Sequence, residues 1–315
     1  MVVTDAERMH LVNSIAKSYE SSCIEEVGDH LESFYVFGSY AFGKISLDIP
    51  DINYFLLLKE GVNPDAFIKH AAVLHKVVDE YADRAQVMVE FRPFRYIYPN
   101  QKRNHYEVFI CPQLGRMEDR SGWIPFGWGW VFGGVLATKR LLFGNDALAE
   151  VRQPQVSYSY IKKFFREAFF PIWTPLERAP QQYRLPEESE LLFHEALKTA
   201  QMAANGFGVN LALTADELRN NVWLEYVSDK SKLVKFYEER YDEHSARNVE
   251  LMLDVRDNWL SYKDDPAMAL KMFHAAIEIC DRVKRQYRDR FLAPVEKEVY
   301  SPGVSDDLAD EFGID

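Results

Sequence analysis

Between Gly38 and Asn53 the chain reads GSYAFGKISLDIPDIN, and several groups in it suit a nucleotide. Gly38 and Gly43 allow a tight turn whose backbone N–H groups face phosphate oxygens, Ser39 adds a hydroxyl, and Lys44 adds a cation. Asp51 and Asn53 follow at i and i+2. On a strand, where side chains alternate, that spacing puts both on one face, and their oxygens suit a hard divalent cation.

Two nucleotide sites share these letters. GSYAFGKI is one residue from the phosphate-cradling pattern G-x-x-x-x-G-K-[ST], with Ile45 where a magnesium-binding hydroxyl belongs. That pattern also needs a helix to open directly after the lysine. Ser46-Leu47-Asp48-Ile49-Pro50 does not supply one, because Pro50 disfavours helical geometry at Ile49 and lacks an N–H. The phosphate-loop reading therefore fails on context.

The second site needs a strand, a Gly-Ser turn, and a second strand whose first residues carry carboxylates. Phe34–Phe37, Gly38-Ser39 and Asp51-Ile52-Asn53 follow that order. In this arrangement the segment resembles the polymerase-beta-like nucleotidyltransferase superfamily, with GSYAFGK closest to its small bacterial and archaeal members. Arg140-Leu-Leu-Phe-Gly-Asn-Asp146 resembles the Gly-x-Asp turn that closes the catalytic domain in such proteins. A helical bundle after that domain resembles the antibiotic nucleotidyltransferase branch.

The resemblance implies Mg²⁺ as cofactor and an NTP as substrate, with nucleotide binding at Gly38, Ser39 and Lys44. It implies metal ligands at Asp51, Asn53 and a third carboxylate from a later strand. Glu90, in Val87-Met88-Val89-Glu90-Phe91, is the acidic residue inside that strand, and Glu107 on the following strand is the weaker candidate. Asp51 and Glu90 are thus the expected catalytic residues, Glu90 also as proton acceptor. Asn53 departs from the pattern: a neutral amide replaces a carboxylate, with one oxygen and no charge to bridge two cations. Asp48, three residues before Asp51, is the nearest carboxylate that could compensate. Two functions stay open, a transferase acting on a hydroxyl acceptor and a catalytically silent nucleotide sensor or protein-interaction module.

The elements that must position these residues are legible. Thr4-Asp5-Ala6-Glu7 forms a capping box, and Met9, Val12, Ile15, Tyr19, Cys23, Val27 and Leu31 recur at helical spacing behind it. Asn53–Leu58 reads as a buried strand, and the helix after Pro64 is expected to bury Phe67, Ile68, Ala71, Leu74, Val78 and Tyr81. Ala85–Tyr98 and His105–Cys111 alternate as strands. Beyond Ala149 the segments Ser157–Phe170, Glu187–Asn205, Thr214–Val227, Lys230–Glu243, Arg247–Tyr262 and Pro266–Phe291 read as helices, with proline-rich Trp173–Pro186 as an irregular connection. The expected fold is therefore α+β: a mixed sheet with flanking helices over residues 1–150, an all-α bundle over 151–300, and an acidic, flexible tail over 301–315.

Composition bounds the rest. The 315 residues carry a net charge of −12, which favours a small-molecule or protein acceptor over a long nucleic acid, since phosphate neutralisation needs a basic face. Three dispersed cysteines and an N-terminus with early charge and no apolar signal core suit the cytoplasm. Ser121–Thr138 lacks charge, but its proline and five glycines break the apolar run, so a buried segment is expected rather than a membrane span. Gly127, Gly129, Gly133 and Gly134 lack a βαβ frame for dinucleotide binding. The basic helix end Arg282–Arg290 suits its own macrodipole. Alternatively Lys284 or Arg285, or Lys162, Lys163 and Arg166, reach the triphosphate.

Overall fold

A computed structural model describes residues 4–61, 64–91, 94–96, 106–116, 135–149, 151, 161–162, 165 and 169–292. The chain divides into two compact units, Met1–Val156 with Leu253–Asp264, and Ser157–Met252 with Asp265–Asp315. The first is built on a six-stranded sheet and the second is helical, so the architecture is α+β.

In the first unit, α1 (Asp5–Val27) starts at the Thr4–Glu7 capping box and leads into β1 (Leu31–Phe37). β2 (Asp51–Leu58), α2 (Asp65–Tyr81), β3 (Ala85–Phe91), β4 (Phe94–Tyr96), β5 (Tyr106–Arg116) and β6 (Arg140–Gly144) follow. The strand order is β4-β3-β5-β2-β1-β6. β1 and β2 are antiparallel, whereas β2 and β3 each run parallel to β5. The end of β1 thus lies beside the start of β2, which brings Gly38 next to Asp51 and Asn53.

One sheet face is closed by α1 and α2. Val12, Ile15, Tyr19, Cys23 and Val27 of α1 pack with Val73, Leu74, Val77 and Val78 of α2 on Ile52, Tyr54, Leu56 and Leu58. Strand alternation sends Asp51, Asn53, Phe55 and Leu57 the other way, where Phe55 and Leu57 pack with Tyr35, Phe37, Val135 and Leu148.

α2 is rotated relative to its expected face. Leu74, Val78 and Tyr81 are buried as expected, and Ala66, His70, Val73 and Val77 are buried with them, while Phe67, Ile68 and Ala71 are exposed. The stripe through His70 prevails because its ring forms a 2.7 Å hydrogen bond with the buried Tyr19 hydroxyl. Burial lowers the His70 pKa to about 4, so this imidazole is neutral near pH 7.

Two strands also differ from expectation. The long alternation ending at Tyr98 becomes the hairpin of β3 and β4, paired at Phe91 and Phe94. Pro93, which lacks an N–H, falls between them in the sequence. β5 runs on past Cys111 through Pro112, and its pairing with β3 extends only to Ile110. Proline is tolerated where a strand has a neighbour on one side alone.

The second unit contains α3 (Phe170–Gln182), α4 (Ser189–Met202), α5 (Leu233–Arg240), most of α6 (Glu243–Asp257) and α8 (Pro266–Tyr287). The short α7 (Trp259–Tyr262) belongs to the first unit. The Pro-rich segment expected to be irregular is largely α3: Pro171 falls in its first turn, and burial of Leu176 and Ala179 holds it despite Pro175 and Pro180. The helix expected over Thr214–Val227 breaks at Asn221, which adopts φ 55°. After α4 the chain widens into a π-helical turn, Ala203–Gly208, whose carbonyls accept from Tyr237, Asn210 and Tyr241 at 3.1, 2.6 and 2.6 Å. The segments 117–134 and 293–315, and most of the helix expected over Ser157–Phe170, lie outside the described residues. Among the described residues no helix is long and apolar enough to cross a membrane.

Candidate functional site

The site is assembled where β1 turns. Gly38 adopts φ +75°, and a side chain there would meet Asn53 Nδ2 at 3.3 Å. The positive φ favours glycine, and a side chain would also require Asn53 to yield slightly. The Gly38 N–H donates to the Thr138 hydroxyl at 3.0 Å, tying the turn to the segment before β6. The turn closes through hydrogen bonds from Gly43 N–H to Tyr40 O at 3.1 Å and Lys44 N–H to Ser39 O at 2.9 Å. Lys44 is exposed, and its side chain makes no hydrogen bond or ion pair with a described residue.

No helix follows Lys44, so the structure also excludes a phosphate loop. Residues 45–50 instead run back irregularly, anchored at three points. The Ser46 hydroxyl donates to Arg256 O at 3.3 Å, and Tyr106 OH donates to Leu47 O. Asp48 forms an ion pair with Arg8 at 2.9 Å and accepts from the Leu260 N–H at 3.1 Å. Asp48 is therefore a latch holding the loop to α1 and α7. It does not compensate for Asn53, because its carboxylate is already shared between a guanidinium and a helix N-terminus.

Asp51 opens β2 and is partly exposed. Asn53 lies across from Phe37 and is only 8% exposed. Its amide lies against Gly38 and makes no hydrogen bond with a described residue.

The sheet register ranks the remaining carboxylates. Met88, Phe109 and Asp51 form one row across β3, β5 and β2, and Val89, Ile110 and Ile52 form the next. Glu90, one residue beyond Val89, has the parity of Asp51 and Asn53 but stands two strands away, about 10 Å in Cα spacing. Its side chain lies outside the described residues. Glu107 pairs with Gln86 and shares that parity on β5, the immediate neighbour of β2. One strand across and two residues along puts its Cα about 8 Å from that of Asp51. Topology thus favours Glu107 over Glu90 as the carboxylate nearest Asp51. Sequence reasoning ranked them the other way because β3 follows α2 directly, and nothing local signals that β5 inserts between β3 and β2.

The Gly-Asn-Asp turn after β6 is a structural clasp. Gly144 has φ +79°, and a Cβ there would lie 2.2 Å from Glu32 O. Asp146 accepts from Lys139 Nζ at 2.9 Å and from Tyr35 OH at 2.8 Å, and Tyr35 accepts in turn from the Leu148 N–H at 3.1 Å. Burial pushes the Tyr35 hydroxyl up to about 12. Burial also acts to raise Asp146, but the Lys139 and Tyr35 hydrogen bonds outweigh it and hold the carboxylate below its ordinary value.

The basic helix end is occupied within the second unit. Arg282 pairs with Asp242 at 3.2 Å, and Arg290 donates to Leu213 O at 2.8 Å. Lys284 lies over the Trp173 ring and 3.6 Å from Asp281. Lys163, Arg166 and the glycines 127–134 lie outside the described residues.

Asp51 and Glu107 carry carboxylate oxygens, the donor type that Mg²⁺ takes. Among the described residues no group of three or more His, Cys, Asp and Glu is arranged to hold a metal ion. Asp51 and Glu107 would be the two anionic ligands for a divalent cation, were one bound with a substrate's phosphates. Two divalent cations about 4 Å apart repel by roughly 17 kcal/mol at an effective dielectric constant of 20. A bridging carboxylate offsets that repulsion and a neutral amide does not.

No family model matches the chain, and no curated protein matches it in sequence. Among solved structures it is similar to the crystal structure of spectinomycin adenyltransferase AAD(9) from Enterococcus faecialis with ATP and spectinomycin, at 11% identity and a TM-score of 0.47, over 86% of this chain and 99% of that one.

Proposed function

We propose that this protein is a Mg²⁺-dependent nucleotidyltransferase that moves a nucleoside monophosphate from an NTP onto a hydroxyl of a small-molecule acceptor. One observation carries the reading: the glycine turn ending β1 folds directly onto Asn53, on the sheet face shared by Asp51 and Glu107. A phosphate-approaching turn and oxygen ligands for a cation are thus side by side, as transfer from a triphosphate requires.

Ser39 and Lys44 bind phosphate oxygens in this reading, and Asp51 and Glu107 would hold the Mg²⁺. When bound, Mg²⁺ neutralises phosphate charge and stabilises the leaving pyrophosphate. The acceptor hydroxyl oxygen bonds to the α-phosphorus, and the bond between that phosphorus and the α,β-bridging oxygen breaks. Pyrophosphate leaves, and the hydroxyl proton passes to a carboxylate. Glu107 takes the role that sequence alone assigns to Glu90, because it is nearer Asp51. The net charge of −12 is compatible with a cationic acceptor, and a cytoplasmic setting remains part of the proposal.

Pyrophosphate release is the test, measured with each common NTP and Mg²⁺ against a panel of hydroxyl acceptors. Release that Asp51→Ala abolishes is the expected result. Magnesium-dependent NTP binding with no release from any acceptor favours the sensor reading, for which the neutral Asn53 speaks.

A further inference from the structure

Asn53 is the one residue at the turn whose chemistry and environment disagree. It is an amide buried to 8% exposure, pressed against Gly38, and it neither donates to nor accepts from a described residue. The amide is not among the fully buried polar atoms that lack a partner, so it keeps access to solvent at the rim of the turn and is open to a ligand there. Among the described residues, three nearby carboxylates are already engaged elsewhere. Asp48 is held by Arg8 and the Leu260 N–H, Asp146 by Lys139 and Tyr35, and Glu20 accepts from Tyr54 OH on the opposite face.

We infer that the site takes a single divalent cation, and that Asn53 serves the nucleotide instead of a second metal. Its Nδ2–H donates to a phosphate oxygen held at the Gly38-Ser39 turn. This inference rests on the nucleotide reading above and adds to it the number of cations and the role of the amide. A neutral donor contributes the hydrogen bond without the bridging anion that a second cation requires.

Mn²⁺ is the probe, titrated by electron paramagnetic resonance into the full-length protein with non-hydrolysable analogues of the common NTPs. The wild type is expected to bind one Mn²⁺ per chain in a nucleotide-dependent way, and Asn53→Asp to bind two. Asn53→Leu is expected to keep one Mn²⁺ and weaken the nucleotide analogue about tenfold, the loss of one hydrogen bond to a charged group. Two Mn²⁺ on the wild type overturn the inference alone, as does an Asn53→Asp protein that folds, binds the analogue and stays at one. Should Asn53→Asp not fold, the wild-type count still decides. A wild type that binds no Mn²⁺-nucleotide overturns the nucleotide reading itself.

Discussion

The two faces of the central sheet are made by the same strands and treat polar groups differently. On the face under α1 and α2, polar atoms are matched within the protein: Tyr19 with His70, and Tyr54 with Glu20. On the other face, the start of β2 presents Asp51 partly exposed and Asn53 buried with no described partner beneath a glycine turn. Because alternation assigns neighbouring residues to opposite faces, Ile52 belongs to the closed core while Asp51 and Asn53 belong to the proposed site. The even positions of β2 all pack into the core, and of the odd ones Phe55 and Leu57 do too, leaving Asp51 and Asn53 for the proposed chemistry. Substitutions on the two faces should therefore separate stability from activity.

The largest effect is expected at Asp51. Asp51→Ala should lower NTP-dependent pyrophosphate release about 1,000-fold, roughly 4 kcal/mol of transition-state stabilisation, while leaving thermal stability nearly unchanged. Calorimetric melting beside the activity assay checks both halves.

Gly144→Ala is the converse case. A side chain forced into φ +79° against Glu32 O should cost about 3 kcal/mol of stability, read by denaturant unfolding. Activity per folded molecule should hold.

Glu107→Gln should lower kcat about 100-fold, the loss of a positioned carboxylate, and Glu90→Gln less than about tenfold. Equal losses, or the reverse order, would show that strand adjacency does not choose the third carboxylate.

The smallest effect lies in the core beneath α2. The pKa of His70 falls from an ordinary 6.5 to about 4 on folding, so below pH 6.5 the unfolded chain binds a proton that the folded one refuses. Stability should drop by about 2 kcal/mol between pH 7 and pH 5 from this group and continue falling to about pH 4. His70→Gln should flatten that limb of the stability profile without changing metal-nucleotide binding.

Much of the first unit was legible because its signals are local. The capping box fixes the start of α1, the spacing from Val12 to Val27 fixes its buried face, and Gly38 with Asp51 and Asn53 marks a turn between two strands. The illegible parts depend on distant partners. The phase of α2 depends on the Tyr19 hydroxyl that His70 meets, against the stronger hydrophobicity of Phe67 and Ile68. The anchoring of Asp48 joins positions 40 and 212 residues apart, and no periodicity in either segment announces it. The position of Glu107 on the strand next to β2 was illegible for the same reason, since strand order is a non-local property. α3 formed across prolines because burial of Leu176 and Ala179 outweighs local propensity.

Binding of a metal-nucleotide complex where β2 begins, at Asp51 and Asn53, is the property that the proposed function needs first. Titration calorimetry tests it most directly, using non-hydrolysable NTP analogues with and without Mg²⁺ on the wild type and Asp51→Ala. Binding that requires Mg²⁺ and disappears in Asp51→Ala is the expected result. Failure of all four common bases to bind, or binding that survives Asp51→Ala unchanged, would contradict it.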